Sequence, residues 1–126
     1  MKKVHKDFQD TPSLELARIV ARAGLDKKAE DLVILDVRGI SSFADFFVIM
    51  SGRSTRHVQG LAQAVDQELR HKKVDAEATE GYNEGRWVLL DYNDVVIHIF
   101  YSDARSFYDL EGLWHDAPRV EITEKP

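Results

Sequence analysis

Two short runs, Leu32-Val33-Ile34-Leu35-Asp36-Val37 and Asp45-Phe46-Phe47-Val48-Ile49-Met50, are apolar almost without interruption. Both are rich in β-branched and aromatic residues, so they read as strands, with Gly39 and Ser41-Ser42 marking the turn between them. A strand that faces water on one side alternates polar and apolar residues. These do not, which predicts burial on both faces and therefore a sheet with helices packed on it.

The rest of the chain supplies those helices. Thr11-Pro12 reads as an N-cap followed by proline at the first helical position, where the missing N–H costs nothing. Leu16, Ile19, Val20 and Ala23 then keep helical spacing, Gly24 supplies a stop, and Asp26 caps a short second turn through Glu30. A long helix over 55–72 carries Val58, Leu61, Ala62, Val65 and Leu69 on one stripe. Residues 75–79 read as a short polar edge strand, and Gly81 to Gly85 as a loop. Arg86–Asp91 and Val95–Tyr101 form a hairpin around Tyr92-Asn93-Asp94. A final helix starts at Asp103, turns Phe107, Leu110, Leu113 and Trp114 inward, and ends at Pro118. The order α-β-β-α-β-β-β-α predicts an α/β fold: one domain over residues 1–126, a mixed sheet with packed helices, and tails at 1–10 and 118–126.

Parity along the hairpin sorts its side chains. With a two-residue loop, Trp87, Leu89 and Asp91 share a face with Val96, His98 and Phe100, whereas Val88, Leu90 and Tyr92 share the other with Val95, Ile97 and Ile99. A three-residue loop would reverse this pairing. The second set is apolar apart from one hydroxyl and belongs to the core. The first mixes an indole, a carboxylate and an imidazole with aliphatic groups. It reads either as a protein-binding patch anchored by tryptophan, or as a core face under a helix with His98 and Asp91 hydrogen-bonded.

Charge narrows the partners. Residues 1–73 hold 13 Lys and Arg against 10 Asp and Glu, while residues 74–126 hold 4 against 12. An acidic C-terminal half repels phosphate backbones and suits a basic protein, although a plain solvated surface would have the same composition. With no cysteine, disulfides and thiolate metal sites are excluded. No apolar run approaches the roughly 20 residues of a membrane span. The polar start, Met1 to Asp7, lacks the apolar centre of a signal peptide, so the expectation is a cytoplasmic protein with no membrane partner.

Catalytic readings find little support. Gly52-Arg53-Ser54 before a helix N-terminus would attract phosphate, which raises nucleotidyl transfer as an alternative. That chemistry needs Mg²⁺ on closely spaced carboxylates. The nearest pair, Asp66 and Glu68, lies mid-helix at i, i+2 and points in different directions. His5, His57, His71, His98 and His115 contain no H-x-H or H-x-x-x-H pair, and no G-x-S-x-G elbow exists. No catalytic residue, metal ligand or cofactor is therefore expected.

Several ordered stretches between about residues 14 and 117 carry a family resemblance. They are Lys28 to Val37, Ala44 to Val58, Glu80-Gly81, Arg86 to Asp91, Asp94 to Phe100 and Arg105 to Trp114. The set, above all W-x-x-x-D from Trp87, D-x-x-x-H-x-F from Asp94 and R-x-x-Y-x-L-E-x-L-W from Arg105, resembles the RsfS/Iojap family of ribosomal silencing factors. That resemblance implies a nucleotidyltransferase-like topology with a five-stranded mixed sheet. It implies a non-enzymatic translational repressor that binds the large ribosomal subunit through ribosomal protein number fourteen (uL-fourteen), with at most minor rRNA contacts. Bound there, such a protein blocks association with the small subunit and lowers translation under nutrient limitation. Carried onto this chain, the partner-binding residues are Trp87, Asp91, His98, Arg105 and Tyr108. A homodimer of the free protein is compatible with this, since an exposed apolar patch awaiting a partner can pair with itself. A generic interaction module with a non-ribosomal target is the reading from another class.

Overall fold

The computed structural model describes residues 12–122. Helix α1 (Pro12–Asp26) buries Leu14, Ala17, Val20, Ala21 and Gly24, while Leu16, Ile19 and Ala23 flank that stripe and are partly buried. The expected cap Thr11 lies outside the described residues. Gly24 does not stop the helix, which runs on to Asp26. Its missing Cβ serves packing instead: a methyl there would stand 2.8 Å from Sδ of the buried Met50. Nor does Asp26 cap a second turn. Lys28 reverses the chain at φ 66°, and strand β1 (Glu30–Asp36) begins at once.

β1 pairs antiparallel with β2 (Phe46–Gly52), placing Ile34 opposite Val48 and Leu35 opposite Phe47. Every residue of β2 is buried, as its unbroken apolar character requires. Helix α2 (Thr55–His71) starts where the Ser54 hydroxyl accepts the His57 N–H at 3.0 Å. Its whole expected stripe, Val58, Leu61, Ala62, Val65 and Leu69, is buried.

β3 (Ala78–Glu80) is an exposed edge strand against β4 (Trp87–Asp91), and β4 forms the hairpin with β5 (Val95–Tyr101). Tyr92 N–H donates to the Val95 carbonyl at 2.9 Å, so the loop is Asn93-Asp94, with Asn93 at φ 77°. Trp87 stands opposite Phe100, Leu89 opposite His98 and Asp91 opposite Val96. The parity expected for a two-residue loop holds.

The sheet order is β3-β4-β5-β2-β1-β6, and of its pairs only β2–β5 is parallel. On one face α1 and α2 cover Ile34, Val48, Met50, Val88, Leu90, Ile97 and Ile99. The opposite face carries Leu35, Phe47, Ile49 and Phe100 under a smaller C-terminal cover that includes Ala104 and Ala117.

That cover departs from expectation twice. The sheet has six strands rather than five, because residues expected as a tail form β6 (Arg119–Val120) along β1. The Asp36 N–H also reaches the Pro118 carbonyl at 2.8 Å, so the tail satisfies β1 backbone groups that an open edge would leave to water. The final helix is not continuous either. It divides into α3 (Ser102–Tyr108) and α4 (Leu110–Leu113) at Asp109, which sits left-handed at φ 46° and ψ 51°. The break turns two of the four expected inward residues outward. Leu110 and Trp114 pack on the sheet, but Phe107 is 78% exposed and Leu113 74%.

Candidate docking face

The hairpin register brings Trp87, His98 and Phe100 together, and α3 lays Tyr108 beside them. The Trp87 ring stacks on Phe100 at 5.1 Å between centroids and meets Tyr108 at 4.5 Å. Its indole N–H donates to Nδ1 of His98 at 3.1 Å. Since Nδ1 accepts, the neutral imidazole carries its hydrogen on Nε2. Burial holds that ring neutral, lowering its pKa from the usual 6.5 to about 4. Phe47 meets His98 edge-on at 5.4 Å and Trp114 edge-on at 5.2 Å. An aromatic row thus crosses β4, β5 and β2.

Burial is graded along this row. Phe100 and His98 are enclosed, Trp87 is half-buried, and Tyr108 is 41% exposed. The face is therefore neither wholly enclosed nor wholly open. Phe100 and His98 form a packed floor, while Trp87, Tyr108 and the partly exposed Leu89 and Val96 reach solvent. Carboxylates edge the same face: Glu80 is paired with Leu89, and Asp91 with Val96. The Asp91 carboxylate accepts the Asn93 N–H at 2.8 Å, which fixes it at the hairpin turn.

Arg105 is the fifth expected site residue, and its guanidinium faces inward. Nε and Nη2 donate to the two oxygens of Glu111 at 2.9 and 3.0 Å, and Nη1 donates to the Ser51 hydroxyl at 2.8 Å. The structure thus gathers Trp87, His98 and Tyr108 into one cluster, places Asp91 at the far end of β4, and sets Arg105 beneath the α3–α4 elbow. Three supporting residues escaped the sequence reading of the site: Phe47, Trp114 and Glu111. Glu111 sits inside the R-x-x-Y-x-L-E segment, but its pairing with Arg105 runs across a break that helical periodicity does not show.

The catalytic alternative finds its residues engaged otherwise. Oδ1 of Asp66 accepts the Tyr92 hydroxyl at 2.7 Å and Oδ2 accepts Nε of Arg70 at 2.9 Å, whereas Glu68 lies by Lys72 at 3.6 Å. At Gly52-Arg53-Ser54, Nε of Arg53 pairs with Glu30 at 2.7 Å, and the Ser54 hydroxyl already holds the His57 N–H. Among the described residues, no group of three or more His, Cys, Asp or Glu side chains converges as a metal site. No described helix is long and apolar enough to cross a membrane.

Fold and site together define a small mixed α/β domain whose second sheet face is an aromatic platform, floored by a buried histidine and edged by carboxylates. The sequence model of the family described as "RsfS: Ribosomal silencing factor during starvation" matches residues 10–126, and the chain belongs to this family. It is 44% identical over 108 residues to the ribosomal silencing factor RsfS of Halalkalibacterium halodurans, covering 86% of this chain and 92% of the relative. It is 43% identical to RsfS of Bacillus subtilis, covering 85% and 91%. A crystal structure of a Chromobacterium violaceum protein superposes with a TM-score of 0.81 at 30% identity, covering 91% of this chain and 95% of that one.

Proposed function

We propose that this protein is a translational repressor that docks on the large ribosomal subunit through ribosomal protein number fourteen and blocks joining of the small subunit by occlusion. The observation that carries the reading is a family match over residues 10–126, a span that contains the whole sheet and the aromatic platform. The action follows the name of its relatives, silencing factor, and the family description places that silencing in starvation.

The platform supplies the means. A half-buried indole on the sheet and an exposed phenol at the end of α3 are the amphipathic anchors that dominate protein interfaces, and such aromatic side chains lose little conformational freedom on binding. Glu80 and Asp91 at the edge give the negative potential that a basic ribosomal protein complements. Trp87, Tyr108 and Asp91 make the contacts, and His98 holds the indole in place from below. Occlusion requires no bond making, so the reading is non-enzymatic, and its site of action is the cytoplasm, where bacterial ribosomes work. Any contact with neighbouring rRNA is minor, because the carboxylate edge repels phosphate, whereas a second copy of the free chain can pair through the apolar part of the platform.

Sedimentation of tagged protein with purified ribosomal particles tests this. The protein is expected with free large subunits and scarce on joined ribosomes and small subunits. Equal recovery with both subunits overturns the reading, and recovery with neither points to a non-ribosomal target.

A further inference from the structure

We infer that Arg105 and Glu111 act as a positioning clamp for the docking face, so that Arg105 works through Tyr108 rather than by touching the partner. The inference rests on the docking function proposed above and deepens it.

All three guanidinium nitrogens of Arg105 are engaged within the chain, two on the Glu111 carboxylate and one on Ser51. The Arg105 side chain is only 11% exposed. The fork is bidentate, the geometry in which an arginine–carboxylate pair is most directional. The Arg105 hydrogen bond is the largest influence on Glu111 and holds its carboxyl below the usual carboxylate range. Ser51 is a buried residue of β2, Glu111 lies in α4, and Arg119 of β6 approaches Glu111 at 3.8 Å. One guanidinium therefore ties the central strand to the elbow, and the sixth strand adjoins the same carboxylate.

The elbow has need of such a tie. Helix α4 is a single turn of four residues, too short to persist by its own hydrogen bonds. The left-handed Asp109 precedes it, and Phe107 and Leu113 contribute almost no burial. What fixes the elbow is packing of Ala104, Leu110 and Trp114, the Asp109 carboxylate capping the Gly112 N–H at 3.2 Å, and the clamp. Tyr108 is the residue immediately before Asp109 and lies one helical turn after Arg105. Its ring stands 4.5 Å from Trp87, so any rotation of the elbow carries the phenol off the indole. Lysine cannot reproduce the fork, and glutamine cannot supply two anionic oxygens.

The test compares Arg105→Lys, Glu111→Gln, their combination, and each in a Tyr108→Ala background, for binding to purified large subunits and for melting temperature. Arg105→Lys and Glu111→Gln are each expected to weaken binding about tenfold, and the combination no more than the worse single change. In the Tyr108→Ala background both substitutions should still lower the melting temperature yet leave binding where Tyr108→Ala already set it. A residue that merely stabilises the fold would not show that split. The Tyr108 ring-proton shifts, set by the Trp87 ring, should move toward solvent-exposed values in Glu111→Gln. This last measurement needs no ribosome, so it judges the clamp even if wild-type protein fails to bind and the docking function falls. Should Glu111→Gln not fold, Ser51→Ala removes one clamp acceptor and is expected to shift the same ring protons. Full loss from Arg105→Lys in the Tyr108→Ala background, or unmoved Tyr108 shifts, overturns the inference.

Discussion

Acidification from neutral pH toward pH 4 should destabilise this protein, chiefly through one imidazole. His98 titrates near 6.5 in an unfolded chain but at about 4 in the fold, because burial disfavours its charged form. A depressed folded value means the unfolded chain takes up the proton first. Stability is therefore full above pH 6.5 and falls as pH drops toward 4. The gap of about 2.5 units corresponds to roughly 3 kcal/mol, with a slope near 1.4 kcal/mol per pH unit through the middle of the window. For a domain whose urea dependence is about 2 kcal/mol per molar, the midpoint should drop by about 1.5 M between pH 7 and pH 4. Glu111 acts in the same direction, but its carboxyl lies below the ordinary 4.5, so its contribution is lost only at lower pH. The assay is urea unfolding followed by far-UV circular dichroism at half-unit steps from pH 8 to 4, on wild type and His98→Asn. Asparagine retains a carbonyl near the Nδ1 position that accepts the Trp87 indole hydrogen, yet it does not titrate. The variant should start less stable but lose the slope between pH 6.5 and 4. An identical slope in both proteins would refute the assignment and place the acid sensitivity elsewhere.

Trp87→Ala should lower stability by about 2–3 kcal/mol, measured by thermal unfolding, because it removes stacking on Phe100 and leaves the buried Nδ1 of His98 without its donor. If Trp87 is a docking anchor, the same change should also weaken large-subunit binding about thirtyfold or more at temperatures where the variant is folded. Asp91→Asn keeps an oxygen for the Asn93 N–H and removes only charge. It should leave the melting temperature almost unchanged while reducing both subunit affinity and the salt dependence of that affinity. Gly81→Ala places a methyl against the Trp87 carbonyl at a positive φ of 79°, and calorimetry should show a loss of about 1–3 kcal/mol or more.

Much of the molecule follows from local pattern. The unbroken apolar run of β2 dictated a central strand covered on both sides, and the stripe from Val58 to Leu69 dictated which side of α2 turns inward. Parity along a two-residue hairpin set Trp87, His98 and Phe100 on one face, because side-chain alternation in a strand is a property of the backbone alone. The tertiary structure decided whatever depended on residues distant in sequence. Helical periodicity in Phe107, Leu110, Leu113 and Trp114 favours one helix. The bidentate pairing of Arg105 with Glu111, anchored on Ser51, accompanies instead a break at Asp109, and that break leaves Phe107 and Leu113 in solvent. The same reason accounts for the sixth strand, whose Arg119 and Val120 carry no strand signal and pair only because β1 offers an open edge. It accounts for His98 too. An imidazole in a strand reads as ordinary in sequence, and only the ring packing of Phe47, Trp87 and Phe100 around it removes the water that would let it take a proton.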